Sequence, residues 1–254
     1  MRCKLCLKVV GHPSKSSREL QICGDCNKSN PFNHVSYPEI PTIRQVNVNG
    51  KRHYETPTGV YISITTLLHS LPLPPGLVEW KKKVGDDVAN YMMRAGGARG
   101  TMLHRAVESY LSNKPMPNIK QEYGVTAAGL FELMIPLLNH IDNIRATEQA
   151  IYSTALQIAG TTDCVAEFDG LLSIIDFKTK RYMVNEESIS DWLIQTTFYA
   201  IAWEELTGQK IEQIVIIVAS EDGLVNVFKS KPADHFGKLK AVIDQYNKGV
   251  GKVS

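Results

Sequence analysis

Three stretches of the chain are apolar with little interruption: Cys164 to Phe168, Leu171 to Phe177, and Ile214 to Ala219. Each is short and bounded by turn residues, which reads as a buried β-strand. Asp169-Gly170 joins the first two as a hairpin, and Asn49-Gly50 joins Ile43–Val48 to Arg52–Tyr54 in the same way. Thr58-Gly59 turns the chain again, and Asp222-Gly223 leads from a strand over Ile211–Ala219 into an edge strand over Leu224–Lys229. Ala150 to Ile158 reads as the first core strand, led by Glu148. Helical spacing covers Leu77 past Trp80 and the lysines 81–83, then Val88–Ala95, Ala98–Leu111, Glu122–Ile144, Asp191–Leu206 and Ala233–Tyr246. Gly96-Gly97 is expected to break or hinge these helices, Pro136 to kink them, and Gly208 to stop one. Strands interleaved with helices make this an α/β chain.

Side chains on a strand alternate, so Asp176 and Lys178 lean to one face and Phe177 to the other. An acid and a base at the end of a buried-looking strand need partners, because unpaired buried charge is expensive. They pair with each other, or, with Asp163 from the strand before, they form an oxygen site for a hard divalent cation. His104 and Glu108, four apart, share a helix face. Trp80 beside Lys81 suits a single-strand channel as well as it suits a solvated face.

Composition narrows the picture. With 254 residues, 43% of them hydrophobic and 21% charged, the chain can bury one substantial core plus a small appendage. A net charge of +2 means that any surface for a polyanion is a local patch. Met1 opens no secretory or transit pattern and no apolar run is long enough to span a bilayer. A cytoplasmic protein with no membrane partner is therefore expected, the cytoplasm being a host's if the chain is phage-encoded. Four of five cysteines fall in two pairs, Cys3-x-x-Cys6 and Cys23-x-x-Cys26. That spacing predicts a structural Zn²⁺ ribbon over residues 1–30, with 31–41 as a linker and 42–254 as the main domain. Metal binding would supply most of the folding free energy of so short a segment.

The motifs resemble a family. Asp163, a spacer, then Asp176-x-Lys178 at the end of an apolar strand is similar to the signature of the PD-(D/E)xK nucleases, with Thr162-Asp163 where that label has Pro-Asp. Arg99-Gly100-Thr101-Met102-Leu103-His104 with Glu108 resembles the RGTxxH helix of the RecB-like branch, and Gln195-x-x-x-Tyr199 its QxxxY helix. The wording around Asp163 and Asp176 is similar in particular to the mitochondrial genome maintenance exonucleases, which act on single-stranded DNA.

The resemblance implies a restriction-endonuclease-like core, a central mixed sheet flanked by helices, with a helical insertion or arch and the amino-terminal zinc ribbon added. It implies catalysis by Asp163, Asp176 and Lys178, and Mg²⁺ or Mn²⁺ held by His104, Asp163, Asp176 and the backbone carbonyl of Phe177. DNA contacts are implied for Gln195, Tyr199, Arg99, Lys180 and Ser63, the last also an ordinary helix cap. Glu148, Glu108, Trp80 and Lys81 are further candidates. Iron-sulfur chemistry, held in some relatives by cysteines split around the core, does not suit four cysteines contiguous at one end. The expected activity is metal-dependent exonuclease cleavage of single-stranded DNA with a free end, in recombination, replication or DNA breakdown. An inactive zinc-ribbon recruitment module with a nucleic-acid or protein partner, and an endonuclease or flap nuclease, use the same scaffold.

Overall fold

Asn49 and Gly50, at φ 52° and 76°, both take the left-handed conformation that a tight two-residue hairpin requires. They join β1 (Arg44–Val48) to β2 (Lys51–Thr56), and a second turn leads to β3 (Gly59–Ser63). The computed structural model describes residues 32–73, 75–114, 116 and 118–250. Cys3, Cys6, Cys23 and Cys26, and with them the expected zinc ribbon, lie outside the described residues.

Ser63 caps α1 (Ile64–His69), its Oγ accepting from Thr66 N at 3.1 Å. Then come α2 (Pro75–Val84), α3 (Asp86–Leu111), α4 (Ile119–Tyr123) and α5 (Val125–Leu138). Three long strands follow: β4 (Ile141–Ser153), β5 (Ile158–Phe168) and β6 (Leu171–Lys180). The chain closes with α6 (Ser190–Thr207), β7 (Gln213–Ser220), β8 (Val225–Ser230) and α7 (Phe236–Val250). Gly208, at φ 70°, ends α6 with a left-handed cap. Among the described residues no helix is long and apolar enough to cross a membrane.

The strands form one mixed sheet in the order β1-β2-β3-β5-β6-β7-β8, with β4 pairing antiparallel along β5. β6 and β7 run parallel, the rest of the inner ladder antiparallel apart from a short parallel β3–β5 contact. Alternation sends Ile174 and Ile216 to one face, under α6, and Ile175, Phe177, Val215 and Ile217 to the other, under α3 and α5. This is the α/β architecture expected from the sequence, a central mixed sheet flanked by helices.

The ladder between β5 and β6 stops at the pair Cys164 and Ile175, and beyond it the two strands diverge. On the same side of β5, β3 pairs only with Ile158 and Ala159. A fork is left open between Gly160 and Asp163, and Tyr199 of α6 fills its base: a Cβ on Gly160 would lie 2.8 Å from the Tyr199 ring and 3.2 Å from Ile64.

Four details differ from the sequence reading. The segment 32–41 is a strap on the body rather than a free linker. Phe32 packs edge-on against Tyr110 at 5.1 Å, Val35 N donates to Ile144 O at 2.8 Å, and Tyr37 rests on Trp203. Three prolines suggested a linker, but Phe32 and Ile40 have apolar faces to bury. Helix α3 runs unbroken through Gly96-Gly97, because neighbouring turns propagate a helix across residues that cost only about 1 kcal/mol each. Pro136 is carried inside α5 near its end. Helix α5 also stops at Leu138, and the stretch expected to extend it to Ile144 already belongs to the long strand β4.

Two substitutions check this packing. Phe32→Ala should cost about 3 kcal/mol in chemical denaturation, as for a buried phenylalanine; an unchanged midpoint would mean the strap is loosely held. Gly160→Ala should cost about 1–3 kcal/mol through overpacking against Tyr199.

Candidate active site

The fork sets the chemistry. Where the β5–β6 ladder ends, the backbone N–H of Phe177 donates to Asp163 Oδ2 at 2.8 Å, so a side chain replaces the missing strand partner. One residue before Phe177, Asp176 is wholly buried, with Lys178 Nζ 2.6 Å from its Oδ2. Asp176 Oδ1 is buried without a hydrogen-bond partner. Asp176 and Lys178 share a face while Phe177 packs into the opposite core, as strand alternation demands.

Helix α3 brings His104 over the fork. Its Nε2 donates to the Phe177 carbonyl at 2.7 Å, and its Nδ1 lies 3.5 Å from Asp163 Oδ1 and 3.7 Å from Glu148 Oε1. Glu148 sits in β4 at φ 47°, a left-handed conformation in mid-strand, level with Asp163 between the pairs Thr147–Cys164 and Gln149–Thr162. Such a backbone costs about 1–3 kcal/mol and persists where the surroundings hold it. The strap helps to do so, since Tyr37 OH donates to Gln149 Oε1 at 3.0 Å.

His104 Nδ1 or Nε2, a Glu148 oxygen and an Asp163 oxygen all lie within 4.8 Å of one another, a set able to hold a divalent ion. This is not the full set expected from the sequence. Glu148 belongs to it, whereas Asp176 is drawn to Lys178, and the Phe177 carbonyl is occupied by His104. The unpartnered Asp176 Oδ1 stands beside the cluster as a further oxygen donor.

The electrostatics follow from burial and crowding. Burial opposes ionisation of Asp176, and with Asp163 nearby its pKa rises to about 6 despite Lys178. For Asp163 burial also acts upward, but His104 and Lys178 outweigh it and hold the carboxyl below its ordinary value. Burial works against a charged His104, yet Asp163 and Glu148 push it up to about 11. Lys178 is likewise raised, burial being overcome by Asp176 and Asp163. Without a metal, protons and ammonium groups balance the acids that a cation would otherwise balance.

The remaining candidates scatter. Arg99 lies against β6, donating to Thr179 Oγ1 at 3.3 Å and paired with Glu221. Lys180 is exposed next to the cleft, its ammonium 5.1 Å above the Trp192 ring; burial, Lys178 and Arg99 lower its pKa. Gln195 and Tyr199 hydrogen-bond each other at 2.9 Å, and Tyr199 is 1% exposed. In this structure the phenol supports the strand bearing Asp163 and offers a nucleic acid no surface. Ser63 is fully buried as a cap, its hydroxyl committed to α1 and Arg52. Glu108 turns from the cluster to Lys114 at 3.4 Å. Trp80 is half-buried in α2, and Lys81 lines a cavity of about 320 Å³ at the elbow with α3, alongside Leu73 and Val78.

The chain is similar to known proteins over part of its length. The chain is 29% identical over 155 residues to mitochondrial genome maintenance exonuclease 1 of Homo sapiens, covering 58% of this chain and 44% of that protein. The Mus musculus protein of that name is 33% identical over 126 residues, covering 46% and 36%, and the Xenopus tropicalis one 26% identical over 162 residues, covering 59% and 45%. The chain thus spans less than half the length of the curated relatives it matches. The family model for the PD-(D/E)XK nuclease superfamily matches residues 126–246, which include Glu148, Asp163, Asp176 and Lys178. Over that segment the chain is similar to the PD-(D/E)XK nuclease superfamily.

Proposed function

We propose that the chain is a metal-dependent deoxyribonuclease that hydrolyses single-stranded DNA from a free end. The observation that carries this reading is the buried Asp176–Lys178 pair in the strand fork, beside Asp163, Glu148 and His104. His104, Glu148 and Asp163 would hold Mg²⁺ or Mn²⁺, with Asp176 Oδ1 as a fourth donor; their hard oxygens and one imidazole fit either ion. A bound ion supplies Lewis-acid polarisation of the phosphate and a more acidic water.

The protein side of the reaction lies with four groups. Asp163 fixes the β6 backbone at Phe177, and His104 fixes the carbonyl of the same residue, so the peptide between Asp176 and Lys178 is held at both ends. Lys178, 20% exposed, presents a positive charge where negative charge develops on the phosphoryl oxygens. The lysine is held in place by Asp176, which costs no reorganisation during reaction. A free end is favoured by the similarity to proteins named as exonucleases.

Residues 1–30 are read as a Zn²⁺ ribbon on Cys3, Cys6, Cys23 and Cys26, a module for nucleic acid or a protein partner. Metal analysis of the purified chain should give about one zinc per chain, lost in Cys23→Ser; a zinc-free wild type would remove the ribbon from the account.

End-labelled linear and circular single-stranded DNA, each with Mg²⁺, Mn²⁺ or EDTA, tests the activity. Loss of the linear form alone, only with metal, is expected. Asp176→Asn and Lys178→Ala should slow it by at least about 100-fold while unfolding cooperatively as the wild type does. Glu148→Gln should raise the metal concentration for half-maximal rate by at least about tenfold. Cutting of the circle would make the protein an endonuclease, and DNA bound in EDTA but intact in both metals would make it a recruitment module.

A further inference from the structure

Beyond Lys178 the chain leaves the sheet through Lys180, Arg181 and Tyr182. Tyr182 is 65% exposed, and the Arg181 guanidinium lies 5.5 Å from its ring centroid. The neighbouring Lys180 ammonium stands over Trp192. Two successive residues thus pair a cation with an aromatic ring at the end of β6. The backbone around the exposed ring is not loose. Glu221 N donates to Lys180 O at 3.1 Å, and Met183 N donates to Asp222 Oδ2 at 3.2 Å, so the turn between β7 and β8 clips the segment on both sides of Tyr182.

Lys180 and Arg181 have no ion-pair partner among the described residues, whereas Lys178 is paired with Asp176 and Arg99 with Glu221, so the bases at this end of β6 are crowded and two of them are unneutralised. The depressed pKa of Lys180, caused by burial and then by Lys178 and Arg99, registers the same crowding. A polyanion relieves that crowding, and a planar ring presented from a fixed backbone suits a polymer whose units carry flat aromatic faces. Both requirements are met together by a single strand of nucleic acid, whose bases are free to stack.

We propose that Tyr182 is a base-stacking platform, with Lys180 and Arg181 holding the adjoining phosphates, that grips one nucleotide of a single strand beside the cleavage site. The inference rests on the nuclease reading and names a subsite for it. Tyr182 lies four positions after Lys178, so their Cα atoms are at most about 14 Å apart, and the stacked base lies within a few nucleotides of the reacting phosphate.

The test is equilibrium binding of a fluorescent single-stranded oligonucleotide in EDTA, by anisotropy. One series carries a single abasic residue moved along the strand. Tyr182→Ala should weaken binding to the intact oligonucleotide about tenfold, the size of one base–aromatic stack, and Tyr182→Phe should stay within about twofold of wild type. An abasic residue at one position should weaken the wild type by the same factor and erase its difference from Tyr182→Ala. The proposal is overturned if Tyr182→Ala binds like wild type, if its loss persists at every abasic position, or if the wild type does not bind. Cleavage is not read in this experiment. A protein that shows the Tyr182 pattern yet leaves DNA intact in Mg²⁺ and Mn²⁺ contradicts the nuclease reading and leaves the stacking subsite standing.

Discussion

The structure depends on a charge that its core has little reason to accept. Asp176 is buried at the point where β5 and β6 part, with an ion-pair partner at Oδ2 and no partner at Oδ1. Replacing a buried ion pair with apolar groups is often neutral or stabilising by about 1–4 kcal/mol, so the pair is poorly explained by stability. Its upward-shifted pKa, to about 6, measures the same discomfort. On the proposed reading, a cation beside Asp176 and Asp163 would remove the difficulty, because the buried negative charge would then have a positive partner.

Much of the surrounding architecture follows from keeping that fork open and rigid. Gly160 lets the Tyr199 ring press against β5, so the strands can diverge without leaving a void. Helix α3, docked through Leu103, Ala106 and Val107, carries His104 to the Phe177 carbonyl. The strap ties the end of α3 to β4, through Phe32 with Asn113 and through Val35 with Ile144, and farther on Tyr37 braces Gln149 beside the left-handed Glu148. Two of the three clustered ligands therefore sit on elements that the strap joins.

The sequence made β6 legible because three local rules agree there. Asp169-Gly170 sets the hairpin, alternation puts Asp176 and Lys178 on one face, and the apolar run requires burial. Helix α6 was equally clear, from its helical spacing and the Gly208 stop. The reading faltered where local pattern is ambiguous or long-range packing decides. Ile141 to Ala146 alternates weakly enough to pass as the end of a helix, which hid the length of β4 and left Glu148 looking like a surface acid. Its place in the cluster comes from a mid-strand left-handed backbone, which no propensity signals in a glutamate. Tyr199 was read as a motif residue facing DNA, but its burial against Gly160 is a tertiary fact. The strap was masked by Pro38 and Pro41, whose stiffness suits a docked extended segment as well as a linker.

The most direct test of the central claim is where a cation goes. Crystals grown with Mn²⁺ and measured at the manganese absorption edge should show an anomalous peak in the fork, within about 2.0–2.3 Å of donor atoms of His104, Glu148 and Asp163, with Asp176 Oδ1 as a fourth. A fork without a peak at saturating Mn²⁺, with Asp176 still paired only to Lys178, would contradict the account.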